Sequence, residues 1–490
     1  MTSHLPNSAK PQFNFQARRA FLKRAGMGCG SLALTSLLKE QGLLSDASAA
    51  ETDFGSLAPK PPHFAPKAKA VIWLFMPGSP SQVDTFDYKP QLQKRDGQKL
   101  NGADPKTGFF TTSGKVLKSP FKFQQYGESG AWASEIFPHM TKHVDDMAFI
   151  YSCYSRSNNH TPAMLEMNSG VFLQGRPCVG SWVNYGLGSE NANLPGFVVM
   201  HGVKPRGGNP IWSPGFLPKV FQPTAIDGRS KTPIANLARR TAMSEKQQRD
   251  QLDVLKSLNE KHQQLRPHEA DLAARLESFE LAYRMQTAAP EAMDIGSETD
   301  TTQKLYGIDK KETQLVARQC LTARRLVERG VRFVQLYAAT NGGAGGVGDV
   351  PWDGHGDIGV NHRIAAKSVD QPIGALMADL KARGLLESTL VIWGGEFGRT
   401  SDSQGSKGRD HNPNSFTMWM AGAGIKGGVQ YGASDEFGYK AVENRVGVND
   451  LHATILKILG IDHERLTYRF NGRDYRLTDV AGNVIPEILA

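Results

Sequence analysis

At 490 residues, 39% hydrophobic and 21% charged, the chain can bury one large core or two ordinary ones and reads as globular. No apolar run reaches the roughly 18 residues of a membrane-spanning helix. Despite a formal net charge of +9, no Lys/Arg block interleaved with aromatics supports nucleic-acid binding, and four cysteines without CxxC or CxxH spacing argue against a thiolate zinc site.

Near the start, Ala17-Arg18-Arg19-Ala20-Phe21-Leu22-Lys23 resembles the twin-arginine export signal. The moderately apolar AGMGCGSLALTSLL follows, and Ala47-Ser48-Ala49 offers a cleavage site. Residues 1–49 are therefore expected to be a removable leader, with the twin-arginine machinery as a partner and the periplasm or the exterior as destination. Cleavage after Ala49 would remove six Lys/Arg and two Asp/Glu and bring the formal charge to +5, so part of the basicity belongs to the leader. Twin-arginine export carries proteins already folded, which hints at a cofactor inserted beforehand. Cys153, Cys178 and Cys320 would remain, enough for one disulfide or for three buried thiols.

Residues 50–69 are proline-rich and read as an exposed lead-in. AVIWLFMPG (70–78) is a continuous apolar run ending in Pro-Gly, the pattern of a strand buried on both faces of a parallel sheet. The turn after it carries Ser79, Ser81, Asp84 and Asp87, which could be turn caps or ligands. The segment to about residue 130 is polar and glycine-rich with little periodicity. DDMAFIYSCY (145–154) reads as another buried strand. It leads through Asn158-Asn159-His160-Thr161-Pro162 into a helix, a junction where side chains and free amides face outward. A second helix is expected at 178–188 and a strand at 193–202. Residues 235–292 are rich in Gln, Lys, Glu and Leu at helical spacing, which predicts a two-helix insertion packed against the sheet with a solvated charged face. A further helix precedes VRFVQLY (331–337). After it come a glycine-rich loop, Trp352-Asp353-Gly354-His355, a long amphipathic helix, STLVIWGGEFGR with Glu396, Arg409-Asp410-His411-Asn412 and the apolar SFTMWMAG. Asp450 is expected to cap a short helix containing His452, and the tail to close as a hairpin.

Strands alternating with helices, with polar clusters just past strand ends, is α/β logic. Asp353, His355, Glu396, Asp410 and His411 are of the residue types that hold divalent cations in hydrolytic sites, and their spacing puts them on adjacent strand ends rather than on one helix. Each also has an ordinary alternative. Asp353 could cap a turn, Glu396 could pair with Arg399, and Asp410 with Arg409.

WDGHGDIGVNH, DQPIGALMADLKARGLL, TLVIWGGEFGRT and GRDHNP, with IWLFMPGSPSQVDTFDYKP and NDLHATILKILGID, resemble the bacterial DUF1501 family over nearly all of the chain after the leader. That family is similar to the alkaline phosphatase/sulfatase superfamily. The resemblance implies one domain over 70–490, alkaline-phosphatase-like, with a mostly parallel central sheet sandwiched between helices and an insertion at about 235–292. The superfamily's Asp-plus-His motif before the long helix falls on Asp353 and His355. Its strand-end Asp-His pair falls on Glu396-Phe397, which keeps the acid and loses the imidazole; Asp410-His411 would replace it. Asn158 to Gly170 falls on the sulfatase nucleophile segment, where Pro162 and Gly170 match, His160 takes the nucleophile position and Thr161 stands beside it. Formylglycine chemistry is excluded there, while a phosphatase-like Thr161 nucleophile is retained. Asp84 stands slightly beyond the strand end where the superfamily has a metal-ligand Asp.

The expectation is an exported hydrolase of phosphate or sulfate esters, dependent on a divalent metal (Zn, Ca or Mg). Thr161, His160 and Arg399 would be catalytic, Asp84, Asp353, His355, Glu396, Asp410 and His411 would be metal ligands, and Arg399 or Arg409 would clamp the anion. The substrate would be an anionic ester, including sulfated or phosphorylated polysaccharide. The rival expectation is a non-catalytic relative that binds such a polymer or a cell-surface partner.

Overall fold

The computed structural model describes residues 57–490 except 103, 105, 240–242, 266–269 and 341–347. The stretch expected to be a leader, the start of the proline-rich lead-in and most of the glycine-rich loop before Trp352 lie outside these residues.

Nine strands build the main sheet among the described residues. They are β1 (Ala70–Phe75), β2 (Met147–Tyr154), β3 (Phe197–His201), β4 (Thr224–Asp227), β5 (Phe333–Tyr337), β6 (Thr389–Gly394), β7 (Phe416–Gly422) and the two-residue β8 (Gln430–Tyr431) and β9 (Val446–Gly447). Their order across the sheet is β8-β2-β7-β6-β1-β5-β3-β4, with β9 also on β2. Strand β1 runs parallel to both neighbours, in register Val71↔Phe333 and Val71↔Leu390. Only β7 runs against the rest, antiparallel to β6 and β2. The fold is α/β, with a mostly parallel sheet covered by helices on both faces.

The uninterrupted apolar strand sequences follow from that covering. Ile72, Leu74 and Met76 enter one core, with Leu321 and Val316 of α5 (Gln314–Glu328) and Leu376 and Ile373 of α6 (Ile358–Ala382). Val71, Trp73 and Phe75 enter the other, with Met164 of α1 (His160–Ser169), Trp182 of α2 (Val179–Leu187) and Leu456 of α7 (Val448–Ile458). Successive side chains of a strand point to opposite faces, so a strand between two helical layers needs both parities apolar. Side chains of this kind contribute roughly 1.5–3 kcal/mol each on burial.

In the stretch expected to be inserted, α3 (Glu245–Leu265) packs on α4 (Ala270–Met293), clasped by Arg249 on Glu280 at 2.6 and 2.9 Å. Among the described residues, α4 reaches the core through its second half, with Met285, Ala289 and Ala292 buried and Leu281 packed against it. Cys153, Cys178 and Cys320 are buried free thiols. Asp450 stands in the first turn of α7, accepting Gly447 N at 2.8 Å, and His452 faces the core, bonded to Met167 O at 2.9 Å. The tail pairs Tyr468–Phe470 with Arg473–Tyr475. No helix among the described residues is long and apolar enough to cross a membrane.

Candidate metal centre

The parallel strands end on one edge of the sheet, and β7 begins there. Beyond β2, Asn159 caps α1 by accepting Thr161 N, which fixes His160 as the first residue of the helix. Beyond β6 come Glu396 and Arg399. The short ladder of Gly398–Arg399 with His411–Asn412 sets His411 opposite Arg399 just before β7. The segment after β5 returns with Asp353, whose neighbour Trp352 donates its amide to Pro77 O at 3.1 Å. Arg409 N bonds Gly354 O, and a Cβ on Gly408 would lie 1.6 Å from His355 O, so the two loops close only around a glycine.

Three imidazoles surround the Asp353 carboxylate. Nε2 of His355 and of His411 lie 2.9 and 3.1 Å from its Oδ1, and Nε2 of His160 lies 3.4 Å from Oδ2. Each ring is held from behind by Nδ1. His160 Nδ1 meets Glu396 Oε1 at 2.6 Å, His411 Nδ1 meets Asn158 O at 2.6 Å, and His355 Nδ1 meets Gln404 Oε1 at 2.5 Å. Those three partners are acceptors, so each Nδ1 carries a proton and leaves Nε2 facing the carboxylate. A protonated ring donates Nε2–H to the carboxylate, and a neutral one presents a lone pair that can share a cation with it. Orientation of ligating imidazoles by an acceptor on the other nitrogen is the usual support of a metal site.

Charge distribution agrees. Burial raises the Asp353 carboxyl, but the Arg399 guanidinium and the three histidines outweigh it and hold the group well below the ordinary carboxylate range. Burial, with the nearby Arg399 and His160 charges, depresses His411 to about 3, so it stays neutral. For His160, burial is outweighed by Asp353 and Glu396, which raise it. Among the described residues, His160 Nε2 and Glu396 Oε2 are buried without a hydrogen-bond partner. Two triads offer donor atoms lying within 4.8 Å of one another: His160, Asp353 and His411, and His355, Asp410 and His411. This His/Asp cluster is able to coordinate divalent metal.

The other expected site residues are placed differently. Asp84 is wholly buried away from the triads, its oxygens taken by Arg409 (2.6 and 3.2 Å) and by Ser81 Oγ (2.5 Å). Glu396 backs His160 and accepts Gly78 N at 3.0 Å, so it supports a ligand. Arg399 and Arg409 are fully buried, and neither is free to clamp an anion. Arg399 donates to Ser79 O, Gly78 O and, at 2.8 Å, to Asp353 Oδ1, while Arg409 is spent on Asp84 and on the carbonyls of Thr400, Ser401 and Leu117. Thr161 follows His160 in the first turn of α1 and is half-buried, its methyl 3.2 Å from where a Cβ on Gly207 would stand. Asp410, by contrast, stands in the second triad as expected; it is buried, its Oδ1 accepting His411 N at 2.8 Å and its Oδ2 accepting Phe110 N at 2.5 Å. Burial raises it.

Sequence reading passed over Asn158 O and Gln404, which act through ordinary polar atoms, and the Phe109-Phe110 pair beside His411 and His355. An apolar pair in the polar stretch KTGFFTT was a visible signal for the last. His362, in α6, is a further buried histidine. Its Nε2 accepts Ser81 N at 2.8 Å and its Nδ1 faces Asn361 Oδ1 at 2.9 Å, so the neutral ring is the bonded form and burial lowers it to about 3. Below pH ~6.5 the unfolded chain takes up a proton that this native ring refuses. Its stabilising contribution is therefore complete above that pH and falls by about 1.4 kcal/mol per pH unit toward pH ~3. Urea midpoints measured between pH 7 and 5 should drop less steeply in His362→Gln; equal slopes would remove His362 from the account.

A family described as "Protein of unknown function (DUF1501)" matches residues 68–489. No curated protein matches the chain. Similar solved structures include the PsFucS1 sulfatase from Pseudoalteromonas sp., 13% identical over 81% of this chain and 68% of that one, with a TM-score of 0.35. The alkaline phosphatase from the Antarctic bacterium TAB5 is 10% identical over 81% and 98%, with a TM-score of 0.34. A phosphonate monoester hydrolase from Silicibacter pomeroyi is 12% identical over 66% and 68%, with a TM-score of 0.33.

Proposed function

The chain belongs to the DUF1501 family, and we propose that it is a metal-dependent hydrolase of phosphate or sulfate esters, acting outside the cytoplasm after twin-arginine export. The observation that carries the reading is the convergence of three Nδ1-anchored imidazoles on the ionised Asp353. A divalent cation bound there would act as Lewis acid toward the ester oxygens and lower the pKa of the attacking group.

His160, Asp353 and His411 would hold one ion, with His355 and Asp410 able to hold a second beside the shared His411. Arg399 keeps Asp353 ionised and fixed. Glu396 holds the His160 ring with Nε2 inward, and Asn158 O does the same for His411. Thr161, next to His160 at the start of α1, would supply the hydroxyl that attacks an ester bound at the cluster, and the opening turn of the helix favours the anion's charge.

The test is a screen of aryl and alkyl phosphate and sulfate esters with the metal-loaded protein, beside Thr161→Ala. Turnover in the wild type, abolished by chelation and lowered by Thr161→Ala at least ~100-fold (about 2.7 kcal/mol of barrier) at unchanged metal content, is the expected result. Turnover that survives Thr161→Ala would transfer attack to water. A metal-loaded protein that turns over none of these esters would replace the hydrolase by a binding protein.

A further inference from the structure

Phe109 and Phe110 stand 48% and 50% exposed immediately beside the histidine cluster. They meet edge to face at 5.0 Å, Phe109 lies tilted against His411 at 5.8 Å, and Phe110 stands edge-on to His355 at 5.0 Å. Single exposed apolar side chains are ordinary. Two adjacent rings held rigidly at a site are not. Phe110 N is bound by Asp410 Oδ2, Asn158 Nδ2 holds the carbonyls of Thr107 and Gly108 at 3.3 and 2.9 Å, and Asn414 Nδ2 holds Thr107 Oγ1 at 3.2 Å. A Cβ on Gly108 would lie 2.3 Å from Asp410 Oδ2, so the backbone seats directly on that carboxylate. The backbone is thus fixed by residues of the cluster itself while both rings keep about half their surface in water.

We infer that Phe109 and Phe110 form a subsite for the alcohol portion of the ester, and that this portion is a six-membered ring with an apolar face. The inference rests on the hydrolase reading for its orientation, ester at the histidines and ring on the phenylalanines. Phenylalanine offers a flat π-face and no hydrogen-bonding group, so it selects a ring stacked through C–H or π contact. The C–H face of a pyranose and the face of an aryl group share that chemistry. Loop atoms already fixed lose little freedom on binding, which favours affinity from a small contact.

The test uses the full chain and uncharged probes that carry no ester: methyl α-glucopyranoside, phenol, and glycerol as the ring-free control. Binding is read by saturation-transfer NMR and titration. The wild type should bind at least one ring probe and not glycerol, and Phe109→Ala/Phe110→Ala should weaken that binding about tenfold, equivalent to about 1.4 kcal/mol. Binding of the pyranoside alone identifies a glycosyl ester, and binding of phenol alone an aryl ester. Phe109→Leu/Phe110→Leu keeps apolar bulk but loses the flat face, and should bind as weakly as the alanine pair. Wild-type-like binding in either variant, or no ring binding in the wild type, overturns the subsite. Ring binding that is lost in the variants, in a protein with no turnover of any ester, would keep the subsite and discard the hydrolase.

Discussion

Replacing His411 with alanine is expected to cost the protein its metal. His411 is shared by both triads, and its neutral ring faces Asp353 with Nε2. The purified full chain should carry about one or two equivalents of a divalent metal. His411→Ala should carry almost none by elemental analysis while keeping the wild-type circular dichroism. Glu396→Gln is the graded companion. It can still accept the His160 Nδ1–H but loses the charge, and such outer partners usually change metal affinity about 10- to 100-fold. A folded wild-type protein without bound metal, or His411→Ala with full metal content, would sink the metal centre.

The second large effect is on stability. Asp84 and Arg409 are both wholly buried and joined by two contacts at 2.6 and 3.2 Å. Burial alone would raise the Asp84 carboxyl; Arg409 and the Ser81 hydroxyl outweigh it and hold it below its ordinary value. Arg409→Met would leave that carboxylate in the interior without a counter-charge, together with the carbonyls of Leu117, Thr400 and Ser401. Breaking one side of a buried pair costs about 3–5 kcal/mol. Asp84→Leu/Arg409→Met should recover part of that loss, because the pair is removed together, but not all, because the three carbonyls stay unpaired. Urea denaturation reads both variants. A loss below ~1 kcal/mol in Arg409→Met, the range of exposed pairs, would show that the pair is not what holds this loop. Arg409 directly precedes Asp410 and His411, so the same variant should also bind metal more weakly.

Much of the architecture was legible because it follows from local patterns. Uninterrupted apolar runs at 70–78, 331–337 and around Leu390–Trp393 required strands covered on both faces, and the helical spacing from Ala365 required most of α6, whose first two turns the sequence left in the polar loop. The types of the candidate ligands, Asp353, His355, Asp410 and His411, were equally visible, because hard cations need oxygen and imidazole donors whatever the fold.

Which donors meet was not legible. Asp84 and Asp353 look alike in sequence, each an acid in a loop after an apolar strand. Packing gave Asp84 the Arg409 guanidinium and gave Asp353 three imidazoles beside Arg399. The same packing removed both arginines from the list of anion clamps, since a buried guanidinium has to satisfy five N–H groups from its immediate surroundings. Glu396 became the support of His160 because the Gly78 turn and α1 reach it from different strands. Sequence by itself determined an α/β sheet, the edge where the site lies and the kinds of atoms present. Tertiary structure alone decided their partners, because hydrogen bonds and ion pairs act over about 3 Å and join residues hundreds of positions apart.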